Sequence, residues 1–256
     1  MYNDLFTIFG LTVHGYGLMI GLGVVGALMM AWHRSKARGL SDDTATSMVL
    51  LAVIVGFIGA KIFFVLTHME DFRRDPWGSL GSEGFVVYGG VIFGTLACWV
   101  YSKMKKERFL VWADILLPGV ALAQGLGRIG CFLAGCCYGR PTDSCLGVVF
   151  PPHSMAPAGV PLVPTQLISS AGDLLLCGIL LAYDRRKHRA GGVLAVYLSL
   201  YSVGRFLVEY LRDDYRGSVG ALSASQFIAI LVLIGAVAFG IYLHRQPPEK
   251  GEAEHA

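Results

Sequence analysis

Apolar residues in this chain come in long blocks separated by polar stretches. Seven blocks stand out, near residues 13–32, 46–67, 85–102, 111–133, 166–183, 191–210 and 223–243. A helix of about 20 mostly apolar residues crosses about 30 Å of hydrocarbon. The pattern therefore predicts an all-α, polytopic membrane protein with seven transmembrane helices. Most connections are short, so residues 1–245 read as one transmembrane domain. The exception runs from about 135 to 165 and holds Pro141, Pro151, Pro152, Pro157, Pro161 and Pro164. It reads as an irregular loop of the length that often carries function. Residues 246–256 read as a disordered tail.

Lys and Arg placement predicts the orientation. Arg34, Lys36 and Arg38 follow the first block; Lys103, Lys105, Lys106 and Arg108 the third; Arg185, Arg186, Lys187 and Arg189 the fifth. The alternate connections carry only Arg73, Arg74, Arg140, Arg212 and Arg216. The basic loops are placed in the cytoplasm, so the N-terminus is expected outside and the C-terminus inside. No basic segment precedes the first block, and no cleavable signal peptide is expected. Composition agrees: 54% of residues are hydrophobic and 15% charged, against about 25% charged in soluble domains. A net charge of +3 gives no ground for nucleic-acid binding.

Ionisable groups inside spans are costly and mark function by default. Lys61, Arg128, Arg205 and Glu209 are the four that stand out. Lys61, Arg128 and Arg205 lie about 20–25 Å along outward-running spans at 1.5 Å per residue, and Glu209 one turn further, near the outer headgroups. Inward-running spans begin at the same depth and bring Tyr16, Tyr88 and Gln166 there. Snorkelling explains a lone Lys61 equally well, and an aromatic belt explains each tyrosine alone. Arg205 and Glu209 are four apart and can pair on one face, with Arg212 one turn beyond. Two or three cations at that depth suit a phosphate, which arginine binds with a planar fork.

Glycine pairs Gly17/Gly21 and Gly90/Gly94 have the spacing that lets membrane helices approach. Gly125-Leu126-Gly127-Arg128-Ile129-Gly130 matches a dinucleotide fingerprint literally, but it lies in an apolar helix without the required preceding strand. Its glycines read instead as thinning the helix so that a headgroup can reach Arg128. Of six cysteines, Cys98 and Cys177 sit inside spans as small apolar residues. Cys131, Cys136, Cys137 and Cys145 cluster on the outward side, where a disulfide from Cys136 or Cys137 to Cys145 is the favoured reading. A reactive thiol and a metal site are the alternatives; the spacing fits no standard zinc pattern, and neither metal nor cofactor is expected.

Several motifs in order resemble the prolipoprotein diacylglyceryl transferases of bacterial plasma membranes. His14-Gly15-Tyr16-Gly17-Leu18-Met19 resembles that family's Trp-Tyr-Gly-Leu-Met, and Gly59-Ala60-Lys61-Ile62 its Gly-Gly-Arg-Ile. Tyr88-Gly89-Gly90 stands where members have His-Gly-Gly or Tyr-Gly-Gly. Gly127-Arg128-Ile129-Gly130-Cys131-Phe132 resembles Gly-Arg-x-Gly-Asn-Phe, and Pro164-Thr165-Gln166-Leu167 resembles Pro-Ser-Gln-Leu. Tyr201 through Arg212 resembles Tyr-x-x-x-Arg-x-x-x-Glu. The resemblance implies a multi-pass plasma-membrane enzyme that moves the diacylglyceryl group of phosphatidylglycerol onto the cysteine thiol of a lipobox-containing preprolipoprotein, releasing glycerol phosphate. It implies that Arg128, Arg205, Tyr88 and Glu209 act in catalysis. It also implies that Tyr16, Lys61, Gly89, Gly90, Gly127, Gln166 and Arg212 bind substrate among the membrane lipids. The sequence departs from the family at Cys131, Ala134 and Cys136, where most members have Asn, Asn and Glu. A relative with another acceptor, a phospholipid-binding or transporting protein, and a thiol-disulfide protein are the competing readings.

Overall fold

The computed structural model describes residues 4–8, 11–82, 84–152, 154–213, 218–220 and 222–246. Arg216 and the tail beyond Gln246 lie outside the described residues. An N-terminal hairpin, β1 (Asp4–Ile8) and β2 (Leu11–His14), leads into α1 (Gly15–Ala37). Then come α2 (Asp42–Thr67), two short helices α3 (Met69–Arg74) and α4 (Pro76–Gly81), α5 (Val87–Met104) and α6 (Phe109–Ala134). A hairpin of β3 (Val148–Val149) and β4 (Pro161–Leu162) precedes α7 (Thr165–Asp184) and α8 (Gly192–Glu209). The last hairpin, β5 (Ser218–Val219) and β6 (Leu222–Ser223), leads into α9 (Ala224–Arg245).

Each predicted block is a helix, with ends within a few residues of those expected. Among the described residues, six helices are long and apolar enough to cross a membrane: α1, α2, α6, α7, α8 and α9. Helix α5, of 18 residues, is diluted by Tyr88, Trp99, Tyr101 and Lys103 and is not among them. Local chemistry sets the ends. Asp75 caps α4, accepting from the Gly78 N–H at 2.9 Å, with Pro76 pre-set at the first helical position. Ser223 and Gln226 form a capping box at the start of α9.

The chain forms two compact units, residues 27–116 and residues 1–26 with 117–256. In the first, α2 and α5 meet backbone to backbone. A Cβ on Gly89 would lie 2.3 Å from the Gly59 carbonyl oxygen, and one on Gly59 would lie 2.5 Å from Phe93 Cβ. Gly90 and Gly94 face α2 at Gly56 and Ala52, as their spacing predicts. Gly89 and Gly90, expected to bind substrate, are thus engaged in helix contact. The other pair differs: nothing lies within 4 Å of a Cβ on Gly17 or Gly21, so no close contact explains them. The basic end of α1 is anchored by Arg34, buried, whose Nη2 donates to the Asp114 carbonyl at 2.7 Å.

In the second unit, the proline-rich connection has little regular secondary structure beyond β3 and β4. It folds around its own small core of Phe150, Ala156 and Leu162, each almost fully buried, with Phe132 from the end of α6 against it. Apolar residues spaced between prolines supply that core. Residues 139–141 bridge to Leu162 on one side and to Arg212 on the other.

The contact between α2 and α5 predicts a contrast. Gly89→Ala must push two backbones apart and should cost about 1–3 kcal/mol. Gly17→Ala adds a methyl to open space and should leave stability nearly unchanged or slightly raised. Thermal unfolding of the two variants in detergent checks this.

Candidate phospholipid site

Arg128 and Arg205, the two arginines singled out in the sequence, line one cavity of about 270 Å³. Its walls come from α6, α7 and α8. Arg128, Asp173, Tyr201 and Arg205 give it polar groups, and Ile168, Leu175, Leu176, Ile179, Leu200 and Val203 give it apolar lining. A phosphodiester with acyl chains has the same two-part character.

Arg205 is held from two sides. Its Nη1 lies 2.7 Å from Glu209 Oε2, and its Nη2 donates to Ser225 Oγ at 2.9 Å. Glu209 also accepts from Ser223 Oγ at 2.8 Å, the same serine that caps α9. Helices α8 and α9 are therefore joined through the Arg205–Glu209 pair, and the guanidinium plane is fixed. Two of the five guanidinium N–H donors are engaged in these contacts. Arg128 lies within electrostatic reach of Tyr201 and of Asp173, a buried carboxylate on α7. Asp173 was missed in the sequence, although an acidic residue inside span 166–183 is the same signal that exposed the others. Tyr197 and Gln124 were missed too; the Tyr197 hydroxyl donates to Gln124 Oε1 at 2.9 Å, and its ring stacks on Tyr201 at 5.6 Å.

The glycine-rich run splits in function. Gly125 packs against α7 at Leu174 and Ser170, and Gly130 packs against Tyr16 of α1. Only Gly127 has open space where a side chain would be, so it alone fits the expectation of a thinned helix beside Arg128. Tyr16 is about half exposed, in the first turn of α1. Gln166 is buried and donates from Nε2 to the Cys136 carbonyl at 2.7 Å, while its Oε1 has no hydrogen-bond partner among the described residues. That acceptor suits a hydroxyl of a glycerol headgroup. Arg212 bridges Gly139 through its backbone and hydrogen-bonds the Cys137 thiol.

The other unit holds Lys61 and Tyr88. Lys61 Nζ donates to Ser82 O at 2.7 Å, Ser82 Oγ at 3.2 Å and Gly84 O at 3.3 Å. Three acceptors match its three donors, and the rings of Phe64 and Phe85 flank it at 5.0 and 5.1 Å. Lys61 therefore ties down the segment before α5. Tyr88 is half exposed at the start of α5.

The cysteines also differ from expectation. All six are free thiols, and Cys145 is exposed, outside the group formed by Cys131, Cys136 and Cys137. The expected bridge from Cys136 or Cys137 to Cys145 is absent, because the chain turns both thiols back toward α6. The sulfurs of the three lie within 4.8 Å of one another. Hydrogen bonds with the Cys131 and Cys136 thiols, and then with the Arg212 guanidinium, hold the Cys137 thiol below the ordinary thiol range despite its burial.

The described residues thus hold six helices long and apolar enough to cross a membrane and, lined by three of them, a cavity bearing two arginines. A model of the prolipoprotein diacylglyceryl transferase family matches residues 3–242. The chain is 46% identical over 250 residues to phosphatidylglycerol–prolipoprotein diacylglyceryl transferase 2 of Clostridium perfringens, with 96% of each chain covered. It is 43% identical over 240 residues to the enzyme of that name from Clostridium tetani, with 93% of this chain and 96% of that protein covered. A relative from Dehalococcoides mccartyi is 31% identical over 246 residues, with 95% and 94% covered. The chain belongs to the prolipoprotein diacylglyceryl transferase family.

Glu209 neutralises Arg205 in a place where both side chains are largely buried. Glu209→Ala should lower unfolding stability by about 3 kcal/mol, the cost of leaving a buried charge without its partner. Glu209→Gln should cost less, because the amide oxygen still accepts from Ser223 or Arg205. Thermal unfolding in detergent, run beside Ser223→Ala, separates the charge from the cap.

Proposed function

We propose that the protein transfers the diacylglyceryl group of phosphatidylglycerol to the cysteine thiol of a prolipoprotein in the bacterial plasma membrane, releasing glycerol phosphate. The observation that carries this reading is the single cavity bearing both Arg128 and Arg205. The names of the relatives give the same reaction.

In that reaction the acceptor sulfur forms a bond to the glyceryl carbon, and the bond from that carbon to the phosphate oxygen breaks. The thiol gives up its proton to solvent, and the electron pair of the broken bond leaves with the phosphate, whose charge rises from one negative to two. Charge therefore grows on oxygens beside the two guanidinium groups. Fixed donors aimed at a developing anion stabilise the transition state more than the ground state. Arg205 is fixed by Glu209 and Ser225, which removes the need to reorganise during the step. The acceptor thiol, with an ordinary pKa near 8.5, becomes a better nucleophile in the same cationic surroundings. The apolar wall takes the acyl chains. Gln166 and Tyr16 hold the headgroup.

We read α5 as the seventh span. Its 18 residues reach about 27 Å at 1.5 Å per residue. Seven spans with the basic connections inside place the N-terminus outside and the arginines of the cavity at the outer leaflet.

Complementation of a cell depleted of its own diacylglyceryl transferase tests the function. The unmodified chain should restore growth and lipidation of a reporter lipoprotein. Arg128→Ala and Arg205→Ala should each lower transfer at least about 100-fold while the protein still inserts, the usual cost of removing one anion-stabilising donor. Arg128→Lys should fail as well, because an ammonium cannot reproduce the bidentate fork.

A further inference from the structure

We propose that Cys131, Cys136 and Cys137 form a trithiolate site for a thiophilic d¹⁰ divalent cation of the Zn²⁺ class. The three sulfurs lie within 4.8 Å of one another. A tetrahedral cation with bonds of about 2.3 Å to sulfur needs its ligand sulfurs roughly 3.8 Å apart. Small rotations of the three side chains cover that difference.

The backbone is built to bring these thiols together. Helix α6 ends in a paired turn: the Cys136 N–H donates to the Cys131 carbonyl at 3.1 Å and the Gly135 N–H to the Phe132 carbonyl at 3.2 Å, with Gly135 at φ +72°. In this Schellman motif the residue two past the cap faces the residue three before it. Those two positions are Cys136 and Cys131, where other proteins put an apolar contact. Cys137 follows at φ +59°, one of two positive-φ residues other than glycine among the described residues. A left-handed conformation there is unfavourable for a side chain and marks a position held by its surroundings. Thr165 Oγ1 donates to the Cys137 carbonyl at 2.8 Å and Gln166 Nε2 to the Cys136 carbonyl at 2.7 Å. Both donors are buried at the start of α7, so a separate helix fixes the turn from outside.

The donor set selects the cation. Three thiolates and no carboxylate in the group exclude hard cations such as Mg²⁺ and Ca²⁺, which take oxygen. A divalent cation with three thiolates carries one net negative charge. Arg212, hydrogen-bonded to Cys137, and Arg128 are positioned to neutralise it. Binding displaces to solvent whatever protons the three thiols still carry and involves no change of oxidation state. Three protein ligands also leave a tetrahedral cation one open position, the arrangement of catalytic zinc sites. If the transferase reading holds, the acceptor thiol is the natural occupant of that position. This consequence alone rests on that reading; the metal site does not, and its test reads metal rather than transfer.

The test uses the full chain in detergent, isolated anaerobically, stripped of metal and titrated with Cd²⁺. Thiolate-to-Cd²⁺ absorption should saturate at one equivalent per chain. Peptide-resolved alkylation should show Cys131, Cys136 and Cys137 shielded by Cd²⁺ while Cys145 stays labelled, a readout that needs no substitution. Cys136→Ala should weaken binding at least about 100-fold, since loss of an outer-shell partner alone costs about 10–100-fold; Cys145→Ala should leave it unchanged. The proposal is overturned if no saturable absorption appears, if Cd²⁺ leaves the labelling of the three thiols unaltered, or if two of them are found joined in a disulfide in the isolated protein.

Discussion

A charge inside hydrocarbon persists only with partners, because an unpaired ion there is costly and a paired one must have its geometry held. This constraint organises the helices around the cavity. Arg205 takes Glu209 and Ser225, Glu209 takes Ser223, and Ser223 starts α9. Arg128 is set against Asp173 of α7 and Tyr201 of α8. The same contacts that make the arginines tolerable also align α6, α7, α8 and α9 and aim the guanidinium groups at one space. Stability and site geometry are a single network here.

The spans were legible because hydrophobicity is summed over twenty residues and survives local noise. The two arginines were legible because any charge in such a block is conspicuous. Lys61 looks alike in sequence, but the contacts that hold it are not legible there. Its acceptors are carbonyl and hydroxyl oxygens of Ser82 and Gly84, more than twenty residues away, and backbone acceptors leave no sequence signal. Gly89 and Gly17 show a similar limit. Both are glycines in spans, but one faces the Gly59 carbonyl and the other faces nothing; spacing says that a helix can be approached, not whether it is.

The segment from Gly135 to Pro164 was the least legible. Proline count points to a segment with little regular structure, which it has, but not to the near-complete burial of Phe150 and Leu162. That small fold matters because it returns Gly139 and Arg140 to the ends of α7 and α8 and sets Arg212 beside Cys137. Where most relatives in the family resemblance carry amides and a carboxylate, this chain carries thiols on a rigid turn. Arg128 and Arg205 line one cavity, while the turn that follows α6 carries this different chemistry.

The central claim is that the arginine-lined cavity takes phosphatidylglycerol and passes its diacylglyceryl group to a thiol. The most direct measurement is a purified reaction in detergent–lipid micelles with a lipobox peptide, following glycerol phosphate and thioether peptide together. The account predicts the two products in equal amounts from phosphatidylglycerol, with both lost when the peptide cysteine is replaced by serine. Glycerol phosphate released without thioether, or no product from folded protein supplied with both substrates, would contradict it.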